Sequence, residues 1–202
     1  MKMDNKEFTR SGEVFIRSLN ADEGNDSRIV AGYAVKFESM SQYIGYYEII
    51  RKGAITNDTI MQSDIFALFN HDTDAVLARS RYGEGSLALE LREDGLYYEF
   101  EAPHTVIGDE LLEHLKRGEM STSSFAFTLP EDGSGEHWFK DENGNLIREI
   151  THIERLYDVS PVYEPAYLAT TCSKRAKDMV DTSERLNNKF NSMLKELDDY
   201  LI

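Results

Sequence analysis

The chain of 202 residues has a single cysteine, Cys172. No disulfide can form within it, and a cysteine-built metal site is out of reach, which fits a reducing compartment. Its neighbours, Thr171 and Ser173, give that thiol none of the surroundings of a nucleophile. Basic charge is also short: 22 Lys and Arg stand against 37 Asp and Glu, a net charge of −15. Such a surface repels phosphate backbones and acidic lipid, so neither nucleic acid nor membrane is an expected partner. No apolar run approaches the roughly 20 residues of a membrane-spanning helix. No apolar signal-peptide core follows residues 1–7. The expectation is a soluble, intracellular protein. The glycine loops that cradle phosphates, the dinucleotide fingerprint and the Gly-x-Ser-x-Gly elbow are all missing. Five histidines occur, none at zinc spacing. His71, Asp72 and Asp74 could in principle hold a metal, but polar residues after a strand are by default solvated. No metal and no cofactor are therefore expected.

What remains is a chain able to bury a core, with 41% hydrophobic and 11% aromatic residues. Short runs rich in β-branched and aromatic residues recur along it. They are Val14–Ile16, Arg28–Phe37, Tyr46–Ile50, Ile65–Phe69, Val76–Ser80, Leu87–Leu91, Leu96–Phe100, Trp138–Lys140, Leu146–Ile150 and Leu156–Val162. Asp94-Gly95 and the stretch Asp141–Asn145 punctuate them as hairpin turns. Strands this close, with no helix between most of them, predict a mainly antiparallel sheet or barrel. A short helical segment is expected between Lys52 and Met61. One convincing helix runs from Thr105 to Arg117. Thr105 caps it, acids fall early, bases late, and Gly118 ends it. Val106, Ile107, Leu111, Leu112 and Leu115 form its expected buried stripe.

Directly after that helix comes Ser121-Thr122-Ser123-Ser124-Phe125-Ala126-Phe127. Four hydroxyls lead into an apolar strand, an arrangement that suits a nucleophile held on a rigid edge. A serine alcohol needs a base beside it. His71, at the end of the apolar run Ile65–Phe69, is the candidate base. The residues alone leave the third group open.

Several pieces, in order, resemble the prohead (capsid-maturation) serine proteases of tailed bacteriophages. They are Gly32–Phe37, Glu48–Ala54, Leu68–Asp72 with Val76–Arg79, Gly95–Tyr98, Met120–Phe127 and Leu156–Tyr167. The resemblance covers about residues 12–171. It implies an α+β fold: a closed, mainly antiparallel β-barrel flanked by helices, similar to the herpesvirus assembly proteases. It also implies a serine endopeptidase that cuts scaffold and capsid-protein segments, and itself, inside the immature shell. Residue by residue, His71 matches the family's base. Ser124 matches the nucleophile, directly before the aromatic-small-aromatic triplet Phe125-Ala126-Phe127, where Ala126 replaces the usual glycine. Ser121 and Ser123 stand beside it as alternatives. Asp158, before Val159-Ser160, matches the family's acid. Glu149, Glu154 and His152 are its rivals, because herpesvirus relatives use a second histidine there. Arg148 and Arg155 are read as exposed strand arginines.

The expected organisation is a tail over residues 1–11, a protease barrel over 12–171 and a helical appendage over 172–202. The last segment carries six basic and six acidic residues and an apolar stripe of Leu186, Phe190, Met193 and Leu197. The partners implied are the major capsid protein and its scaffold segment, with self-association. The implied location is the cytoplasm of a bacterial host, inside the procapsid. Two other readings stand beside this one: a non-catalytic assembly partner using the same fold, and an unrelated hydrolase on a β-barrel.

Overall fold

The computed structural model describes residues 7–17 and 27–163, with the backbone alone for 7–13. Described residues up to Gln42 and from Tyr47 onward belong to one compact unit. Tyr43–Tyr46 falls to a second unit whose remainder lies outside the described residues. The C-terminal helix expected over 172–202, its apolar stripe and Cys172 also lie outside them.

Twelve strands occur among the described residues. They are β1 (Glu7–Ile16), β2 (Ile29–Lys36), β3 (Tyr47–Ile50), β4 (Asp64–Leu68), β5 (Val76–Arg81), β6 (Glu84–Gly85), β7 (Leu87–Arg92), β8 (Gly95–Glu101), β9 (Thr122–Thr128), β10 (Glu136–Lys140), β11 (Leu146–Ile150) and β12 (Arg155–Val162). Nine of them form one sheet in the order β6-β5-β4-β12-β9-β1-β2-β8-β7, and β10-β11-β3 form another. Every neighbouring pair is antiparallel except β4–β12 and β3–β11. β1 joins two halves of the larger sheet. Glu7–Glu13 pairs with β9, and Val14–Ile16 pairs with β2.

This corrects the expectation of a closed barrel. The larger sheet ends at β6 on one side and β7 on the other, and no ladder joins these edges. The reason is covalent. Ser86 alone separates Gly85 from Leu87. A hairpin needs at least about two linking residues to reverse direction, so β6 and β7 cannot pair with each other. The helices flanking the sheets are few: the described residues contain two α-helices, α1 (Asn57–Met61) and α2 (Val106–Lys116). At the N-terminal end β1 begins at Glu7.

The core is built chiefly on β2, β8, β9 and β12. Val30, Val35, Leu96, Tyr98, Phe100, Phe125, Phe127, Leu156 and Val159 are all buried there with Leu111 of α2. Phe125 and Phe127, two apart on β9, stack with centroids 5.0 Å apart. α2 is built as its sequence predicts at both ends. The Thr105 hydroxyl accepts the Gly108 N–H. At the other end Gly118 takes a φ of +70°, a conformation that costs glycine little. Gly108 has a separate reason: a Cβ there would lie 2.0 Å from the Pro103 carbonyl oxygen. The buried stripe is narrower than expected. Leu111 and Leu112 are buried, whereas Val106 in the first turn is 82% exposed.

Candidate active site

The site is built on β12, which lies between β4 and β9. Antiparallel partners directly opposite one another share a face of the sheet, and residues two apart on a strand share it too. Ser160 of β12 is opposite Ser124 of β9, and Asp158 is opposite Ala126. Asp158, Ser160, Ser124 and Ala126 therefore lie on one face. On the far side of β12, Asp158 is in register with Phe66 of β4. All four residues on the shared face are buried.

His71 reaches this face from the turn after β4. That turn, Phe69–His71, is kinked, with Asn70 at φ 53° and ψ 38° and His71 at φ 61°. Two successive non-glycine residues in the left-handed region are uncommon, although asparagine and histidine tolerate it best. Such conformations persist where the surroundings over-determine them and gather at functional sites. Here the surroundings are visible. Phe69 N–H donates to the Ala75 carbonyl and Asp72 N–H to that of Phe69. Asp72 Oδ1 accepts the Asp74 N–H at 2.9 Å, so this carboxylate shapes the turn. The Phe69 ring packs edge-on against Tyr163 and tilted against His114 of α2, with centroids 5.9 and 6.1 Å away. Burial, aided by Glu110 and Glu119, holds the Tyr163 phenol above its ordinary range.

Across 87 residues of sequence, His71 Nδ1–H donates to Asp158 Oδ1 at 2.6 Å. The same oxygen accepts the Ser160 hydroxyl at 2.6 Å. Ser160 Oγ in turn accepts the Leu68 N–H at 3.4 Å. The side chains of His71 and Asp158 are 17% and 7% exposed, and His71 Nε2 is shielded from solvent. With Nδ1 carrying the proton, Nε2 is the imidazole nitrogen left as acceptor. Such an imidazole can take a proton from an alcohol, which is what serine chemistry requires.

The three serines of the hydroxyl run separate cleanly. Ser121 precedes β9 and is exposed. Ser123 is opposite Pro161, on the other face, and its Oγ is 2.6 Å from the Tyr98 hydroxyl inside the core. Complete burial pushes that tyrosine above its ordinary range. Ser124 alone of the three shares the face of Asp158. The candidate acids separate too. Glu149 bonds to Arg51 in the three-stranded sheet. His152 and Glu154 are exposed and lie on the segment before β12.

Two features escaped the sequence reading. Ser160 is the first, although its place two residues after Asp158 on a strand was a usable signal. The second is Arg148, which is buried and not an exposed strand arginine. Its Nε donates to Glu136 at 2.6 Å and its Nη1 to Glu48 at 3.1 Å. Arg155 is exposed, as read.

Among the described residues no helix is long and apolar enough to cross a membrane. No curated protein matches the chain. Among solved structures, the capsid assembly protease gp21 of bacteriophage T4 is similar, with a TM-score of 0.47 and 10% identity. That match covers 78% of this chain and 97% of the other. The family model described as caudovirus prohead serine protease matches residues 16–185, most of the chain. The chain belongs to the caudovirus prohead serine protease family.

Proposed function

We propose that this protein is a serine endopeptidase of capsid maturation in which Ser124 is the nucleophile, His71 the general base and Asp158 the orienting acid. The observation that carries the assignment is the 2.6 Å hydrogen bond from His71 to Asp158, on the sheet face that Ser124 shares. In this reading Ser124 Oγ attacks the scissile carbonyl carbon as its proton passes to His71 Nε2. The tetrahedral intermediate collapses to an acyl-enzyme while the imidazolium gives that proton to the leaving amine. Water, deprotonated by the same nitrogen, then releases the acid. Asp158 keeps the imidazole in the Nδ1–H tautomer and stabilises its charged form. The metal alternative at His71 is less favoured by this geometry, because Nδ1 is engaged by Asp158 and Asp72 by its own turn.

The substrates proposed are the scaffold segment of the major capsid protein and the protease itself, cut inside the procapsid in the host cytoplasm. Family membership supports this. Self-association through Leu186, Phe190, Met193 and Leu197 is a sequence expectation outside the described residues.

The test is coexpression with a major capsid protein from the same genome, with new termini read by mass spectrometry. The wild-type chain cleaves, and Ser124→Ala loses cleavage by about four to six orders of magnitude, the scale seen when a serine nucleophile is removed. Full cleavage by Ser124→Ala overturns the assignment. A wild-type chain that binds capsid protein but leaves it uncut supports the non-catalytic assembly partner instead.

A further inference from the structure

We propose that Ser160 is a positioning residue of the same reaction, one that fixes the Asp158 carboxylate and ties it to the root of the turn that carries His71. The proposal rests on the assignment of Ser124, His71 and Asp158 above.

The argument begins with the hydroxyl. It has one proton to give and lone pairs to accept with. The Ser160 proton goes to Asp158 Oδ1 at 2.6 Å, and the oxygen accepts the Leu68 amide at 3.4 Å. A nucleophile must give its proton to the base. Ser160 has given its proton to the acid, so it is not a second nucleophile, although it is opposite Ser124 in the ladder.

The carboxylate needs such a partner. The terminal torsion of an aspartate is soft and roughly two-fold, so one hydrogen bond to a histidine does little to stop the group turning. Two donors on one oxygen define its direction. Asp158 Oδ1 receives both, from His71 Nδ1 and from Ser160 Oγ. Leu68 is the last residue of β4, three before His71, and the residues between include the left-handed Asn70. Ser160 therefore grips the acid with its proton and the root of the base's turn with its lone pair. Its proton and its lone pair are both engaged, by Asp158 and by the Leu68 amide, so it acts through its neighbours.

The experiment uses the full chain and a peptide substrate taken from the cleavage site mapped above. Ser160→Ala lowers kcat about 10- to 100-fold, the scale of one hydrogen bond to a charged group, and leaves KM within about twofold. The acidic limb of its pH–rate profile moves to higher pH, because a carboxylate with one donor fewer holds an imidazolium more tightly. Ser160→Thr, which keeps the hydroxyl, restores most of kcat. A fluorophosphonate probe labels Ser124 in the wild-type chain and, more slowly, in Ser160→Ala. Wild-type kcat and an unmoved limb in Ser160→Ala overturn the positioning role, provided Ser124→Ala is inactive in the same assay. Activity in Ser124→Ala overturns the assignment beneath it. Label on Ser160, or a Ser160→Thr chain of wild-type stability that stays as slow as Ser160→Ala, also overturns the proposal. Should Ser160→Ala not fold, Ser160→Cys, with its weak donor, takes its place and must show the same split between kcat and KM.

Discussion

Two buried carboxylates, Asp158 and Glu48, sit in different sheets with different partners. Both are nearly closed to water, at 5% and 2% exposed. Glu48 of β3 is in register with Arg148 of β11 and accepts its Nη1, while Glu136 of β10 takes the same guanidinium's Nε. A guanidinium stays charged at any pH a protein survives, so this cluster has one protonation state to offer. It holds the three strands in register. Asp158 instead faces an imidazole and a hydroxyl, and an imidazole changes charge near neutral pH. Burial of an acid does not mark a site by itself. The partner decides whether the acid staples strands or serves a proton transfer.

The same amide-for-acid exchange at both places tests the comparison most sharply. Asp158→Asn is expected to cut kcat by about three orders of magnitude, since an amide supports the wrong imidazole tautomer, while thermal stability changes little. Glu48→Gln should do the reverse. It should cost about 1–3 kcal/mol of unfolding free energy by weakening a hydrogen bond to a charged, buried group, with kcat unchanged in what folds. Peptide kinetics and urea unfolding on both variants decide it. A large kcat loss in Glu48→Gln at intact stability would break the comparison.

Removing the guanidinium has the largest expected effect on stability alone. Arg148→Ala leaves Glu48 and Glu136 facing each other without a counter-charge, at a cost of about 3–5 kcal/mol. A loss under 1 kcal/mol by the same unfolding measurement would mean the cluster is not a staple. Ser123→Ala, on the core face of β9, loses its bond with the Tyr98 hydroxyl. It should cost about 1 kcal/mol and retain cleavage, in contrast to Ser124→Ala one residue on.

The smallest effect is that of acid. Arg79 holds the Asp64 carboxyl below its usual range, chiefly by hydrogen bonding. A carboxyl depressed in the folded state contributes stability above its unfolded value, about 3.9, and loses it as pH falls through the lower folded value. The Tm difference between wild type and Asp64→Asn should therefore shrink as pH is lowered from 5 to about 2. A difference that grows with acid would reverse the sign. Both side chains are substantially exposed, so the effect stays small.

Much of this was legible along the chain because it is local. The cap at Thr105, the glycine stop at Gly118 and the hairpins at Asp94-Gly95 and Asp141–Asn145 depend on neighbours a few residues apart. The candidates His71, Ser124 and Asp158 came from a resemblance carried by short motifs, and the structure brings His71 and Asp158 into contact. The choice among Ser121, Ser123 and Ser124 was not legible from period two alone. Alternation says that Ser123 and Ser124 face opposite ways, but not which way the site lies. Closure of the sheet was misread because strand spacing counts hairpins and says nothing of how the outermost edges meet. Arg148 was misread because β11 is covered on both faces, which its alternation does not announce.

The sequence by itself determined that most of the chain is short strands, where the helix after Thr105 starts and stops, and which turns join the hairpins. Those follow from backbone sterics, capping and side-chain type, all within reach of a few residues. The tertiary structure alone decided that Asp158 meets an imidazole while Glu48 meets a guanidinium. Each partner comes from another strand or turn, 87 and 100 residues away, and only the pairing of β12 with β4 and of β3 with β11 brings them within hydrogen-bond distance.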